Sequence, residues 1–388
     1  MEQGTRNIKY KKILLTGGGT GGSVSPLLAM AKNTPLQKGG EGGYNFLFIG
    51  AKNGPEREMV LKEGIEFKAI SAGKFRRYFS VKNLTDLFLM KLGFFQAFFI
   101  ILKWKPDLII SAGSFVSVPV VWAGWILRVP ILIHQQDARP GLANKLMAPF
   151  AKVITVTFEE SLKDYGKKAV WTGNFSRNME RITHNAKAPL IKGPACRTGR
   201  VGGFENKLPV VLIIGGGTGA VAINELVWKS LNELTKFCNI IHATGKAKTP
   251  PLIKGVGGIF TAVNKINENY KSFEFLNADQ IAASYAVADI VVSRAGMGVL
   301  TELSYLGKPA ILIPMPDSHQ EENAGIFKEK EAAIILEQKK LTVEVLVKNI
   351  KKLLGDENLR RKLSGNIEKV IKKGANEKIA EIIKNLLK

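Results

Sequence analysis

Two cysteines in 388 residues, Cys196 and Cys238, exclude a disulfide framework and point to a reducing interior. The four histidines, His134, His184, His242 and His319, are scattered without paired spacing, so no metal site is expected. No serine-histidine-acid or cysteine nucleophile pattern stands out. No uninterrupted apolar run reaches the roughly 20 residues that span a bilayer. The opening "MEQGTRNIKYKK" is polar and basic and does not resemble a signal peptide. Acidic side chains are also in short supply: 33 Asp and Glu against 56 Lys and Arg leave a formal net charge of +23. Such an excess attracts polyanions, whether nucleic acid, anionic membrane or phosphorylated substrate. A lysine-rich surface reflecting compositional bias gives the same number. No basic-aromatic stacking motif accompanies the charge, so nucleic acid is not an expected partner.

What is present is a repeated α/β pattern. The first half carries the runs "KKILLTG", "YNFLFIG", "PDLIISAG", "VPILIHQ" and "KVITVT". Short unalternated runs of this kind suit strands of a parallel sheet covered on both faces. A stretch rich in glycine, proline and charge follows, and then a second series: "PVVLIIGGG", "NIIHATG", "SFEFL", "ADIVVSRAG" and "PAILIPM". Three elements of the second series match the first in the same order: "ILLTGGGTGG" with "VLIIGGGTGA", "KPDLIISAGS" with "VADIVVSRAG", and "VPILIHQQD" with "KPAILIPMPD". The expected architecture is therefore α/β, two Rossmann-like domains with parallel sheets facing each other across a cleft. The expected boundaries are residues 1–186, a linker or surface loop at 187–208, and 209–388. The tail after Leu341 has helical periodicity through Leu346, Ile350, Leu353 and Leu354, and its last helix is expected to pack back on the first domain.

Each glycine turn ends a strand and opens a helix, a place where backbone N–H groups attract an anion. Gly17, Gly19 and Gly22, and again Gly215, Gly217 and Ala220, satisfy the dinucleotide spacing. The second strands, however, end in "FIGAKN" and "HATGKA". Neither tip offers the acidic residue that a nicotinamide or flavin ribose requires, and no cofactor is expected. A better ribose and diphosphate site lies at residues 288–324. There a strand ends at Ser293, a helix begins near Met297, and Glu302 follows about one turn in. Gln320 adds a donor and acceptor suited to sugar hydroxyls. An ordinary βαβ unit with Glu302 as a solvated helix residue is the alternative reading.

The ordered set "GGGTGG", "HQQDARPGLANK", "TGNFSR", "GGGTGA" and "SRAGMGVLTE…HQEENA" resembles the MurG family over nearly the whole chain. That resemblance implies a GT-B fold and inverting transfer of N-acetylglucosamine from UDP-GlcNAc to lipid I, the lipid-linked muramyl-pentapeptide, giving lipid II in peptidoglycan synthesis. It implies a peripheral position on the cytoplasmic face of the cell membrane. It assigns the donor to Thr20, Gly21 and Gly22, to Asp137 and Arg177, to Gly217 and Thr218, and to Leu276 at the uracil. It further assigns Met297, Gly298, Val299, Leu300, Thr301 and Glu302 to the diphosphate and ribose, and Gln320 to the sugar. Gly18, Gly19, Ser114, Phe115 and Asn144 fall to the acceptor. A related enzyme with another lipid acceptor such as diacylglycerol, or a catalytically weakened sugar-nucleotide-binding membrane protein, are the alternatives.

Three departures from the family pattern bear on the chemistry: Ser23 replaces a histidine, "HEQN" reads Gln135 and Asp137 at its second and fourth positions, and Gly217 replaces a serine. Inverting transfer needs a group to take the acceptor proton. Asp137 is the first candidate and His134 the second; alternatively Asp137 only hydrogen-bonds the donor and His134 is a satisfied strand-end histidine. Residues 83–105 form an apolar, aromatic stretch containing Phe94, Phe95, Phe98, Phe99 and Trp104. Lys74, Arg76, Arg77, Lys82, Lys103 and Lys105 flank it. An interfacial helix on an anionic membrane surface is expected, as the resemblance also implies; a buried helix is the alternative.

Overall fold

The computed structural model describes residues 10–19, 21–33, 43–73, 82–175, 204, 206–215, 220–245, 252–254, 260–262 and 267–388. Thr20, Arg177, Gly217, Thr218 and most of the expected linker lie outside them. The chain forms two compact units, Met1–Arg177 with Lys372–Lys388, and Asn178–Ile371.

The first unit runs β1 (Lys11–Thr16), α1 (Gly21–Asn33), β2 (Tyr44–Ala51), α2 (Glu56–Lys62), β3 (Glu66–Ile70), α3 (Lys82–Trp104), β4 (Leu108–Ser111), α4 (Ser117–Ile126), β5 (Ile131–Gln135), α5 (Leu142–Met147), β6 (Val153–Val156) and β7 (Ala169–Trp171). Its seven strands lie in the order β3-β2-β1-β4-β5-β6-β7, all parallel. β4 and β5 are buried along their whole length, because helices cover both faces. One face packs Ile13, Leu15, Leu27 and Leu28; the other packs Leu14, Ile109, Val121 and Ile133.

The second unit runs β8 (Val210–Ile214), α6 (Val221–Leu234), β9 (Asn239–Ala243), β10 (Leu252–Lys254), β11 (Phe260–Ala262), β12 (Tyr270–Phe273), α7 (Ala278–Val287), β13 (Ile290–Ser293), α8 (Met297–Leu306), β14 (Ala310–Leu312), α9 (His319–Glu329), β15 (Ile334–Ile335), α10 (Val343–Gly355) and α11 (Glu357–Ile367). Its parallel sheet has the order β12-β9-β8-β13-β14-β15, and β10 and β11 form a separate antiparallel pair. With that pair set aside, both sheets read third-second-first-fourth-fifth-sixth, and the first adds β7 as a seventh strand. The like-for-like sequence elements thus sit at like positions, and each unit is Rossmann-like.

The last helix, α12 (Ala375–Leu386), belongs to the first unit. Ala375, Ile379 and Ile383 join the cluster of Ile13 and Leu15, and the Lys11 ammonium donates to the Leu387 carbonyl at 2.9 Å.

Helix α3 turns only part of the expected membrane set outward. Apolar residues surround this helix, so composition alone does not say which side faces the sheet. Met90, Ala97 and Ile101 are buried, and Phe94, Phe98 and Trp104 pack half-buried against the same core. The outward stripe is Phe88, Leu92, Phe95, Phe99 and Leu102, each between 40% and 68% exposed. At 100° per residue these positions fall on one face. Of the five expected, only Phe95 and Phe99 are on it.

Gly173 has φ +84°, and a Cβ there would overlap the Lys372 carbonyl oxygen where the chain enters α12. Gly173→Ala is expected to cost about 2 to 4 kcal/mol and to expose α12 to protease. An unchanged denaturation midpoint would show that the C-terminal segment does not depend on this contact.

Candidate active site

In a parallel sheet, ligands collect beyond the carboxyl ends of the strands where the strand order reverses. The first unit reverses between β1 and β4, and the second between β8 and β13. All four loops at these points are motifs singled out in the sequence.

In the first unit, the turn after β1 packs against the start of α1: a Cβ on Gly17 would stand 3.0 Å from the Ser23 carbonyl oxygen. Ser23 closes the turn on itself. Its hydroxyl donates to the Gly18 carbonyl at 2.9 Å and accepts from the Gly18 N–H at 3.2 Å. Ser23 therefore braces backbone where the family has a histidine. Gly19, at φ +80°, donates its N–H at 3.2 Å to Glu56, a fully buried carboxylate that also accepts from the Ala51 N–H at 2.9 Å. Sequence reading passed over Glu56, because only the fold brings the start of α2 beneath the glycine turn.

Across from this turn lies the loop after β4. Gly113 and Ser114 both take the left-handed region, at φ +92° and +91°. For Ser114 that is a strained conformation of the kind found where structure serves a ligand. The Ser117 hydroxyl holds the loop by donating to the Gly113 carbonyl at 2.8 Å. A Cβ on Gly19 would lie 3.6 Å from the Ser114 Oγ, and one on Gly113 would lie 3.0 Å from the Asn144 Oδ1. Of the expected acceptor residues, Gly18, Gly19, Ser114 and Asn144 therefore gather at one place. Phe115 is half-buried against the core beside them.

The end of β5 separates the two candidate bases. His134 is fully buried; its Nε2 faces the Asn174 Oδ1 at 2.9 Å and its Nδ1 the Thr155 Oγ1 at 2.9 Å. Burial lowers its pKa to about 4 against the upward pull of the Asn174 bond. Neither nitrogen is left for a substrate proton, which makes His134 a structural residue. Gln135 donates to the Asp137 carbonyl at 2.8 Å and the Arg139 carbonyl at 3.0 Å, and accepts from Asn144 and from the Tyr165 hydroxyl. An ionised glutamate could make neither donation. The glutamine thus pins the loop that carries Asp137, which is half-buried.

In the second unit, α8 has Gly296 as its N-cap, with no capping side chain and no acidic residue in its first turn. Among the described residues no side chain pairs its leading N–H groups, and these with the positive end of its dipole suit an anion. The preceding loop is held by the half-buried Arg294 guanidinium, which donates to the Ile313 and Pro314 carbonyls at 3.1 and 3.2 Å. Glu302 follows, and burial raises its pKa to about 7. The Tyr285 hydroxyl donates to its Oε2 at 2.8 Å. Thr301 is turned inward, donating to the Met297 carbonyl, and Leu300 is core; Gly298 and Val299 are the outward residues of that turn. Gln320 accepts from the Met315 N–H at 3.1 Å, so its NH₂ is the end that can reach a ligand. Leu276 is buried immediately before the cap of α7, beside the exposed Phe275. Among the described residues, no group of three His, Cys, Asp or Glu is placed to hold a metal.

Paired Rossmann-like units with their motifs at the switch points make this a GT-B chain. The model of the glycosyltransferase family 28 N-terminal domain matches residues 13–156, and that of its C-terminal domain residues 210–385. The UDP-N-acetylglucosamine–N-acetylmuramyl-(pentapeptide) pyrophosphoryl-undecaprenol N-acetylglucosamine transferase of Clostridium kluyveri is 40% identical over 348 residues, 88% of this chain and 91% of that one. Its namesake in Clostridium botulinum is 37% identical over 383 residues, 97% of this chain and 100% of that one. The crystal structure of Acinetobacter baumannii MurG shares the fold, with a TM-score of 0.71 at 23% identity over 97% and 99% of the two chains. The chain belongs to glycosyltransferase family 28, and within it to the MurG family.

His242 mirrors His134. It is buried between Tyr270 and Asn224, and burial lowers its pKa to about 3. Both folded values lie below the free value near 6.5, so the unfolded chain binds more protons as pH falls below 6.5. Stability is complete above that pH and is lost on acidification toward 4, at about 1.4 kcal/mol per pH unit for each histidine. The urea midpoint is expected to fall between pH 7.5 and 5; a constant midpoint would contradict the assignment of both as buried and neutral.

Proposed function

We propose that this chain is an inverting hexosyltransferase that moves N-acetylglucosamine from UDP-GlcNAc to lipid I, giving lipid II. The observation that carries the reading is the uncapped start of α8 with Glu302 one turn behind it, at the second unit's switch point. A nucleoside diphosphate fits that spacing. The diphosphate lies on the free N–H groups, and the carboxylate accepts from the ribose hydroxyls. Leu276 borders the base, and the Gln320 NH₂ reaches toward the sugar. The acceptor belongs to the first unit, around Gly18, Gly19, Ser114 and Asn144.

In the reaction, the acceptor hydroxyl oxygen attacks the anomeric carbon from the face opposite UDP. The bond from that carbon to the diphosphate oxygen breaks, and the electron pair leaves with UDP. The growing charge on the leaving group is met by the helix dipole. The acceptor proton passes to Asp137, since His134 is committed on both nitrogens and Ser23 is closed on Gly18. Labelled UDP-GlcNAc with a soluble lipid I analogue is expected to yield labelled lipid product, and Asp137→Asn to lower kcat by about 100-fold or more while leaving the donor KM little changed. Absence of product would reject the transferase reading. Full kcat in Asp137→Asn would reject the base.

The outward stripe of α3, with the exposed Trp125 and Ile126 of α4 in the same unit, is the membrane-facing surface in this reading, bordered by Lys91, Lys103 and Lys105. Among the described residues no helix is long and apolar enough to cross a membrane; an apolar stripe bordered by lysines suits a helix lying in the interface of an anionic leaflet. Phe95→Ser with Phe99→Ser is expected to reduce binding to anionic vesicles without lowering the denaturation midpoint. Phe94→Ser with Phe98→Ser is expected to lower the midpoint. Equal vesicle binding by the first pair would reject the docking face.

A further inference from the structure

We propose that Tyr285 is a positioning residue that sets the orientation of the ribose-binding carboxylate of Glu302 and ties it to the segment that borders the base. The proposal rests on the assignment of Glu302 to the nucleotide ribose.

Tyr285 lies in α7 and is wholly buried. A buried phenol hydroxyl needs a partner, and phenylalanine would fill the same space without that requirement. The hydroxyl has one use in view: it donates to the Glu302 Oε2 at 2.8 Å. That bond fixes which carboxylate oxygen turns toward α7 and leaves Oε1 to accept from a ligand. It also favours the ionised carboxylate against the upward push of burial.

The same helix is fixed at its other end. Asn277, the residue after Leu276, accepts from the Asp279 and Gln280 N–H groups at 3.0 and 2.9 Å, and Gln280 returns by accepting from the Asn277 N–H at 2.9 Å. This capping box holds the start of α7 in register. One short helix, capped by the residue after Leu276, therefore links the segment assigned to the base with the hydroxyl that holds the ribose carboxylate. The fit between base and ribose is set within the protein before any nucleotide arrives.

The test is calorimetry with UDP and with 2′,3′-dideoxy-UDP on wild type, Tyr285→Phe, Glu302→Ala and the double variant. Tyr285→Phe is expected to weaken UDP about tenfold and to leave the dideoxy ligand unchanged, and the double variant to bind UDP no worse than Glu302→Ala alone. An equal loss for both ligands in Tyr285→Phe would reduce Tyr285 to a packing residue. Full UDP affinity in Tyr285→Phe, with Glu302→Ala impaired, would overturn the positioning role alone. Full UDP affinity in Glu302→Ala would overturn the ribose assignment itself.

Discussion

The proposed donor site depends on one helix N-terminus, the start of α8, which among the described residues no side chain caps. A parallel sheet with crossover helices on both faces must send successive connections to opposite sides wherever its strand order reverses. At that strand the loops diverge and the helix starts point into the gap. The fold makes this arrangement twice, once in each unit. In the second unit the start of α8 carries neither a capping side chain nor a first-turn acid, so its partial positive charge is available. The first unit differs in a telling way, since the fully buried Glu56 already accepts from the Gly19 N–H. One glycine turn is braced by an internal side-chain acceptor, while the other unit's helix start is open to an external one.

The departures from the family pattern make physical sense together. Ser23 cannot act as an imidazole would, and its hydroxyl is spent on the Gly18 backbone in both directions. Gln135, in the place of a glutamate, supplies the two donations that hold the Asp137 loop. The change from asparagine to aspartate then places an acid on a fixed loop. An acid on a loop held by two donated hydrogen bonds stands where the family has an amide.

The sequence made β1, β4, β5, β8 and β13 readable because strands buried on both faces are written as continuous apolar runs. β3 was not, since "EFKAI" is an edge strand with only Ile70 fully buried, and its composition reads as surface. The strand expected at "SFEFL" is Tyr270–Phe273, ending before the exposed Glu274 and Phe275. The inward face of α3 was hidden because both of its faces are apolar. Glu302 and Gln320 could be named from spacing within one βαβ unit. Glu56 and Tyr285 could not, because each acts on a residue of a different element that only the folded chain brings near. The two hydrogen bonds of His134 join residues 21 and 40 positions away, so its sequence position could not show them.

The most direct measurement is a crystal structure of the chain with UDP-GlcNAc bound. The expected density places the diphosphate on the backbone N–H groups of Met297–Val299 and the ribose hydroxyls within hydrogen-bond distance of Glu302. A nucleotide bound away from the start of α8, with Glu302 out of contact, would contradict the assignment of the open helix terminus to the donor.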